Sequence, residues 1–420
     1  MRNSKYNKKK IFNDPVYGFI SLPFNLIFDI IEHPFFQRLR RIKQLGLTHL
    51  VYPGALHTRF HHAMGAMHLT MKALDVIESK GQKVTKKERK ATLIAILLHD
   101  IGHGPFSHAL EYSIVGNVTH EDISTFFMQH LNKVFDGKLG LAIQIFENKY
   151  KKPFLHQLVS SQLDMDRLDY LKRDSFFTGV SEGVISSERI ISMLHVKNGD
   201  LVIEAKGIYS IEKFIIARRL MYWQVYLHKT VLSAERLVVN ILQRAKKLAL
   251  NEAELFCTDA LRYFLYANHD KQSFEENPET LIRFSELDDF DITASIKMWQ
   301  NHSDPILSSL CKSLVNRNLY KIDIRKKPFT EEELNSHFKE LTASTGISEQ
   351  EAKYFIFSDS IKNNAYSPKK DKINLLYKDG TIIDIAEAAD QLNINALTEE
   401  VIKYFICYPK QVMVDNLKNE

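Results

Sequence analysis

The sequence predicts a mainly α-helical protein with short β-hairpins and a smaller α+β region at its C-terminal end. Three observations lead there. Apolar residues recur at helical spacing through most of the first 250 residues. Three tight-turn signals, DPVYG, KNGD and KDGT, each sit between short strand-like runs. Composition then shifts near residue 250, where the acidic NEAELF follows the basic QRAKKLAL.

The elements follow in order. A hairpin surrounds Asp14–Gly18. LIFDIIEHPFFQRLRRIKQLG is helical, interrupted at Pro34 and stopped by Gly46. HHAMGAMHLTMKALDVIESKG runs to Gly81 with Met64, Met67, Met71 and Leu74 on one face. KKERKATLIAILLHD, HEDISTFFMQHLNKVF, the 157–174 segment and a long stretch from Ile208 through Leu248 complete the helices. HVKNGDLVIEA turns at Asn198-Gly199 and KINLLYKDGTIIDIA at Asp379-Gly380. NNAYSPKKDK reads as a loop. The expected division is a domain over 1–250 and an accessory helical and hairpin region over 251–420.

Bulk properties narrow the function. With 420 residues, 45% hydrophobic and 25% charged, the chain has ordinary globular composition. A net charge of +5 is a solvated-surface value and does not by itself predict nucleic-acid binding. Cys257, Cys311 and Cys407 are far apart, which excludes a disulfide framework and a CxxC zinc site and predicts a reducing cytoplasm. The basic N-terminus leads into FNDPVYG rather than an apolar signal region, and no apolar run reaches the ~20 residues that span a bilayer.

The chemistry concentrates in HDIGHGPFSH, residues 99–108, which follow the apolar run ATLIAILL. A helix apolar all round is buried, so His99 and Asp100 enter the interior at its last turn. An ionised aspartate there needs a cationic partner, and imidazole with carboxylate suits a divalent metal. Adjacent helical residues diverge by about 100°, so further ligands must come from other helices. His62, Asp164, Asp166 and Asp169 are the candidates. His103, His108 and His120 crowd the same stretch, and a helix beginning at Pro105 would aim free N–H groups at an anion.

RFHHAMG, HDIGHGPFSHALE and LDMDRLDYLKRD, in that order, resemble the HD-domain metal-dependent phosphohydrolases. DPVYGFI, PFFQRLRRIKQLGLTHLVYPGALHTRFHHAMG and RRLMYWQVYLHK bring the likeness closer to the deoxynucleoside triphosphate triphosphohydrolase branch, over about residues 11–245. The resemblance implies an HD-domain helical core. It implies His62, His99, Asp100 and Asp166 as metal ligands, with Asp164 and Asp169 as supporting or surface carboxylates and His57, His61 and His68 outside the set. The ion would be manganese, magnesium, iron, nickel or zinc. His103, His108 and His120 would face phosphates, with His120 as acid/base assisted by Glu111.

The same resemblance puts Arg59 and Arg167 on phosphate oxygens, Gln44, Leu45, Tyr170 and Asp174 at the deoxyribose, and Tyr226 nearby. Arg167 and Leu227 depart from the mammalian pattern, which has lysine and a polar residue there. Gln37 and Arg40 match the base-reading part of an activator site, and the branch forms dimers or tetramers. The expected reaction releases deoxynucleoside and inorganic triphosphate. Alternatives are another phosphoester (a nucleoside monophosphate or cyclic nucleotide), a second ion on His103 or His108 with His120, or a non-catalytic nucleotide- or nucleic-acid-binding protein.

Overall fold

The computed structural model describes residues 10–106, 113, 115–368, 371–389 and 398–418. It is mainly helical, with three small sheets among the described residues. Three helices carry the centre: α1 (Arg59–Ser79), α2 (Lys86–Leu98) and, further along, α4 (Met165–Thr178), with α1 packed against both others. Between them in sequence lies α3 (His120–Val134). Each start is written locally. Thr85 and Glu88 form a reciprocal cap on α2, Thr119 and Asp122 do so on α3, and Asp164 accepts from Arg167 N at 2.7 Å to open α4. Gly179, at φ +74°, closes α4. Every residue of α2 from Ala91 to Leu98 is buried, as its all-round apolarity predicts.

The three expected hairpins are present. β1 (Ile11–Asp14) pairs with β2 (Gly18–Ser21), and β3 (Leu194–Lys197) with β4 (Asp200–Glu204) through an Asn198-Gly199 turn with both φ positive. The last, β7 (Asn374–Leu376) with β8 (Ile382–Asp384), has a wider loop than its Asp-Gly signal implies, closed by Tyr377 N to Thr381 O. β4 and β7 then pair in parallel, Ile203 opposite Leu375, giving the order β3-β4-β7-β8. A further sheet, β5-β9-β6, joins Lys321–Arg325, Val401–Tyr408 and Phe357–Asn363.

Several helices are shorter than their periodicity suggests. After Pro34–Gln37 the chain tightens to a 3₁₀ turn, Arg38–Arg41, and becomes extended at Ile42, so no helix runs on to Gly46. Residues 158–164 are non-helical because the Asp164 carboxylate takes Ser161 N and Arg167 N, which makes it a cap rather than a helix interior. The stretch from Ile208 divides into α5 (Ile208–Met221), a π-helical turn over Tyr222–Tyr226, and α6 (Lys229–Leu250). No helix begins at Pro105: Phe106 has φ +53° and its N–H is taken by Asp289.

Candidate active site

α1, α2 and α4 bring three donor atoms together. His62 Nε2 lies 3.4 Å from His99 Nε2 and 3.1 Å from Asp166 Oδ1, and His99 Nε2 lies 3.5 Å from the same oxygen. These separations suit one ion, since cis ligands at ~2.1 Å stand about 3 Å apart in an octahedron and slightly farther in a tetrahedron. Asp100 is adjacent, its Oδ1 3.4 Å from His99 Nε2 and its Oδ2 3.8 Å from His62 Nε2.

Hydrogen bonds behind the cluster decide its chemistry. His62 Nδ1 is 2.7 Å from Asp169 Oδ2, and His99 Nδ1 is 2.6 Å from the Ile96 carbonyl. Each Nδ1 faces only an acceptor, so it carries the proton, and with an ion bound each neutral ring would turn an Nε2 lone pair inward. Two such lone pairs and a carboxylate converge, an arrangement that needs a cation. Burial opposes charge on His62, yet bonds to Asp166 and Asp169 push its pKa up to about 10. A divalent metal answers the same demand, and the donor set fits one.

Asp169 is fully buried and accepts from Arg173 Nε at 2.9 Å and Nη2 at 3.0 Å. Arg173 Nη1 in turn reaches Asp14 Oδ2 at 2.8 Å, which ties the first hairpin to the cluster. Gly65 allows this approach, because a Cβ there would sit 2.0 Å from Asp169 Oδ1. Gly102 does the same for α3: a Cβ would lie 2.2 Å from His120 O, and its N–H donates to Ser124 Oγ at 2.9 Å.

The cluster opens into a cavity of about 480 Å³. Of the residues expected at the site, Gln44, Leu45, Arg59, Asp100, His103, His120, Asp166, Arg167, Tyr170, Asp174 and Tyr226 line it. His62 and His99 lie behind it. His103 and His120 stack at 3.9 Å between ring centres, and burial followed by the nearby Arg59 charge lowers His103 to about 3. Arg59 Nη1 donates to Asp100 Oδ2 at 2.6 Å, and Arg167 Nη1 to Asp164 Oδ2 at 2.7 Å. Asp174 accepts from Tyr226 OH at 2.7 Å and meets His57 Nε2 at 2.8 Å.

Gln37 and Arg40 stand elsewhere, bonded to each other at 2.9 Å, with Gln37 also on the Ile31 carbonyl. His108 and Glu111 lie outside the described residues. Thr48, Tyr222, Leu232 and Glu235 also line the cavity. Their signal in the sequence is faint: Leu232 and Glu235 share a face of α6 at i,i+3 spacing, and Tyr222 is presented by the π turn.

Residues 59–173 match the family model of the HD domain, and 185–270 that of an HD-associated region. The uncharacterized protein YwfO of Bacillus subtilis is 33% identical over 99% of this chain and 96% of its own length. The chain belongs to the HD-domain family. A phosphohydrolase of Bacteroides thetaiotaomicron, known from its crystal structure, superposes with a TM-score of 0.93 at 53% identity, covering 96% of this chain and all of that one. A Dictyostelium discoideum protein named as a deoxynucleoside triphosphate triphosphohydrolase SAMHD1 homolog is 29% identical over 90% of this chain and 70% of its own. As an HD-domain protein the chain is a metal-dependent phosphohydrolase at the level of its family. Among the described residues no helix is long and apolar enough to cross a membrane.

Proposed function

We propose that the protein hydrolyses deoxynucleoside triphosphates to deoxynucleoside and inorganic triphosphate. One observation carries the reading: the metal-ready cluster opens into a cavity that carries the Arg59 and Arg167 guanidiniums and the His103 and His120 imidazoles beside it, and aromatic rings beyond, with Tyr170, Tyr222 and Tyr226. Its volume is that of a small-molecule site. His62, His99, Asp166 and the adjacent Asp100 would hold a divalent ion, which supplies polarisation of a phosphoryl oxygen and acidifies water.

The chain's own residues do the rest. Arg59 and Arg167 offset phosphate charge as cations held in place before the substrate arrives. His120, stacked on His103, is the acid toward the leaving 5′-oxygen, with Glu111 as its assistant and His108 as a further phosphate contact. Tyr226 and Asp174, fixed by their mutual bond and by His57, form the sugar wall with Gln44, Leu45 and Tyr170. Asp100 Oδ2 already accepts from Arg59, so the arrangement favours one ion over a bridged pair. Gln37 and Arg40 would contact an activator nucleotide in a dimer or tetramer, in the cytoplasm.

The test is product analysis. Metal-reconstituted protein is incubated with each dNTP, alone and mixed with GTP, beside an Asp100→Ala control. Deoxynucleoside with intact triphosphate, absent from the control, is the expected result. Monophosphate or orthophosphate would instead assign another phosphoester chemistry, and no turnover would overturn the reading in favour of binding.

A further inference from the structure

Arg38 is a guanidinium that neither the metal cluster nor the cavity uses, and it is fully buried. Its Nε donates to the Leu287 carbonyl at 2.6 Å, Nη1 to Ile101 O at 3.3 Å and Nη2 to His103 O at 2.8 Å. One side chain therefore gathers the turn that follows His99-Asp100 and a residue of the accessory region. Two residues past Leu287, Asp289 opens the helix α7 (Asp289–Trp299). Its Oδ1 accepts from Phe106 N and its Oδ2 from Lys43 N, both at 3.0 Å.

These contacts hold unlike things in place. Phe106 has φ +53°, a left-handed conformation that a bulky residue adopts only when its surroundings impose it. Lys43 precedes Gln44 and Leu45, which line the cavity. One carboxylate thus ties the wall bearing Gln44 and Leu45 to the turn bearing His103. Arg38 and Asp289 do not line the cavity. Both fall outside the stretches that match the HD-domain and HD-associated models, 59–173 and 185–270.

An apolar residue in place of Arg38 would avoid desolvating a charge but would remove the donors from Ile101 O and His103 O. A lysine would keep the charge and lose the planar fork that reaches three carbonyls in different directions. We propose that Arg38 and Asp289 are positioning residues for catalysis, which hold the His103 turn and the Gln44–Leu45 wall in register with the metal cluster. The inference rests on the reading that His103 faces substrate phosphates. It gives the accessory region a role in the reaction, through the segment 287–289.

The full-length variants Arg38→Lys and Asp289→Asn test it, beside Asp304→Ala. Asp304 caps another accessory helix and pairs with Arg244, so its loss is structural only. Three quantities are read: kcat and KM for dNTP hydrolysis, metal content, and hydrogen–deuterium exchange of the segments 42–45 and 99–106. Both positioning variants are expected to lose tenfold or more in kcat, since an ångström of misplacement is worth on the order of 10²-fold. KM should stay within about threefold and metal content at the wild-type level, with faster exchange confined to those two segments. Asp304→Ala should lower the melting temperature and leave kcat in place. Unchanged kcat in both positioning variants, metal loss, or an equal fall in kcat for Asp304→Ala would overturn the proposal. Wild-type protein without dNTP turnover would instead fail the substrate reading. In that case local loosening upholds the clamp, and unaltered exchange overturns it.

Discussion

Replacing Asp169 by asparagine probes the lone-pair argument directly, because the side chain keeps its shape and loses its charge and one acceptor. Asp169 Oδ2 serves His62 Nδ1 and Arg173 Nε, and Oδ1 serves Arg173 Nη2. An amide must turn its NH₂ toward one of these donors. If it faces His62, the imidazole proton moves to Nε2 and the inward lone pair is lost. If it faces Arg173, a buried guanidinium retains Asp14 as its carboxylate partner. Breaking one partner of a buried pair costs roughly 3–5 kcal/mol, and Asp14 retains part of that, so we expect about 2–4 kcal/mol lost from unfolding stability. Metal affinity should fall by about 10–100-fold, the usual effect of removing a carboxylate behind a ligating histidine. The assay is calorimetric titration of the metal-free protein with Mn²⁺, paired with urea unfolding at neutral pH. Asp164→Asn is the contrast: asparagine also caps helices, so it should leave Mn²⁺ affinity within about threefold. Affinity of Asp169→Asn within twofold of wild type would refute the claim that the Asp169 carboxylate tunes His62 as a ligand.

Further outcomes follow from the same geometry. Glu88 is buried and accepts from Thr85, Tyr150 and Lys152, and although burial opposes its charge these bonds take its carboxyl from 4.5 to about 2. A depressed acid stabilises the fold above its unfolded pKa, so the advantage of wild type over Glu88→Gln, at most roughly 3 kcal/mol, should be complete above pH 5 and fade as pH falls toward 2 in denaturant titrations. Gly102→Ala puts a Cβ 2.2 Å from backbone at the start of α3; a lowered melting temperature and a loss of activity are expected together, and wild-type values for both would refute the close approach. Chelation should lower the melting temperature of wild type, since an ion at 100-fold its Kd contributes about 2.7 kcal/mol, and Asp100→Ala should melt at nearly the same temperature with or without chelator.

Much of this was legible because local chemistry wrote it. The helices read in KKERKATLIAILLHD and HEDISTFFMQHLNKVF survive in the fold, and Asn198-Gly199 fixed its hairpin. What escaped was decided by partners far away in sequence. KIDIR carries charges at alternate positions, FSDSIKN is largely polar, and both become strands because β9 runs between them. The acids Asp164, Asp166 and Asp169 could not be ranked by type. Their spacing held the answer only once His62 was in place: Asp166 and Asp169, at i,i+3 on α4, flank its two ring nitrogens, while Asp164 caps the helix. Arg38 and Asp289 gave no signal, since one of the three arginines of QRLRR and an acid in ELDDFD look like solvated surface. The structure buries both.

The buried charges also explain why a hairpin at the start of the chain matters to a site built from three helices. From the DPVYG turn inward, Asp14, Arg173 and Asp169 alternate in sign and end on the His62 imidazole, linked at 2.8, 2.9 and 2.7 Å. Asp14 itself accepts from Val16 N and Tyr17 N, so its carboxylate is fixed before it meets the guanidinium. Each link leaves the next with one usable orientation. The last link is the imidazole proton on Nδ1, which leaves Nε2 as the donor toward the cavity side. In a low-dielectric interior such a chain is strong when complete and weak when broken. A neutral Asp14 would therefore be felt at His62, although Arg173 and Asp169 stand between them. Asp14→Asn should lower metal affinity less than Asp169→Asn, and in the same direction, with the calorimetric titration reading both. Equal affinities for wild type and Asp14→Asn would mean that Asp169 orients His62 without help from the hairpin.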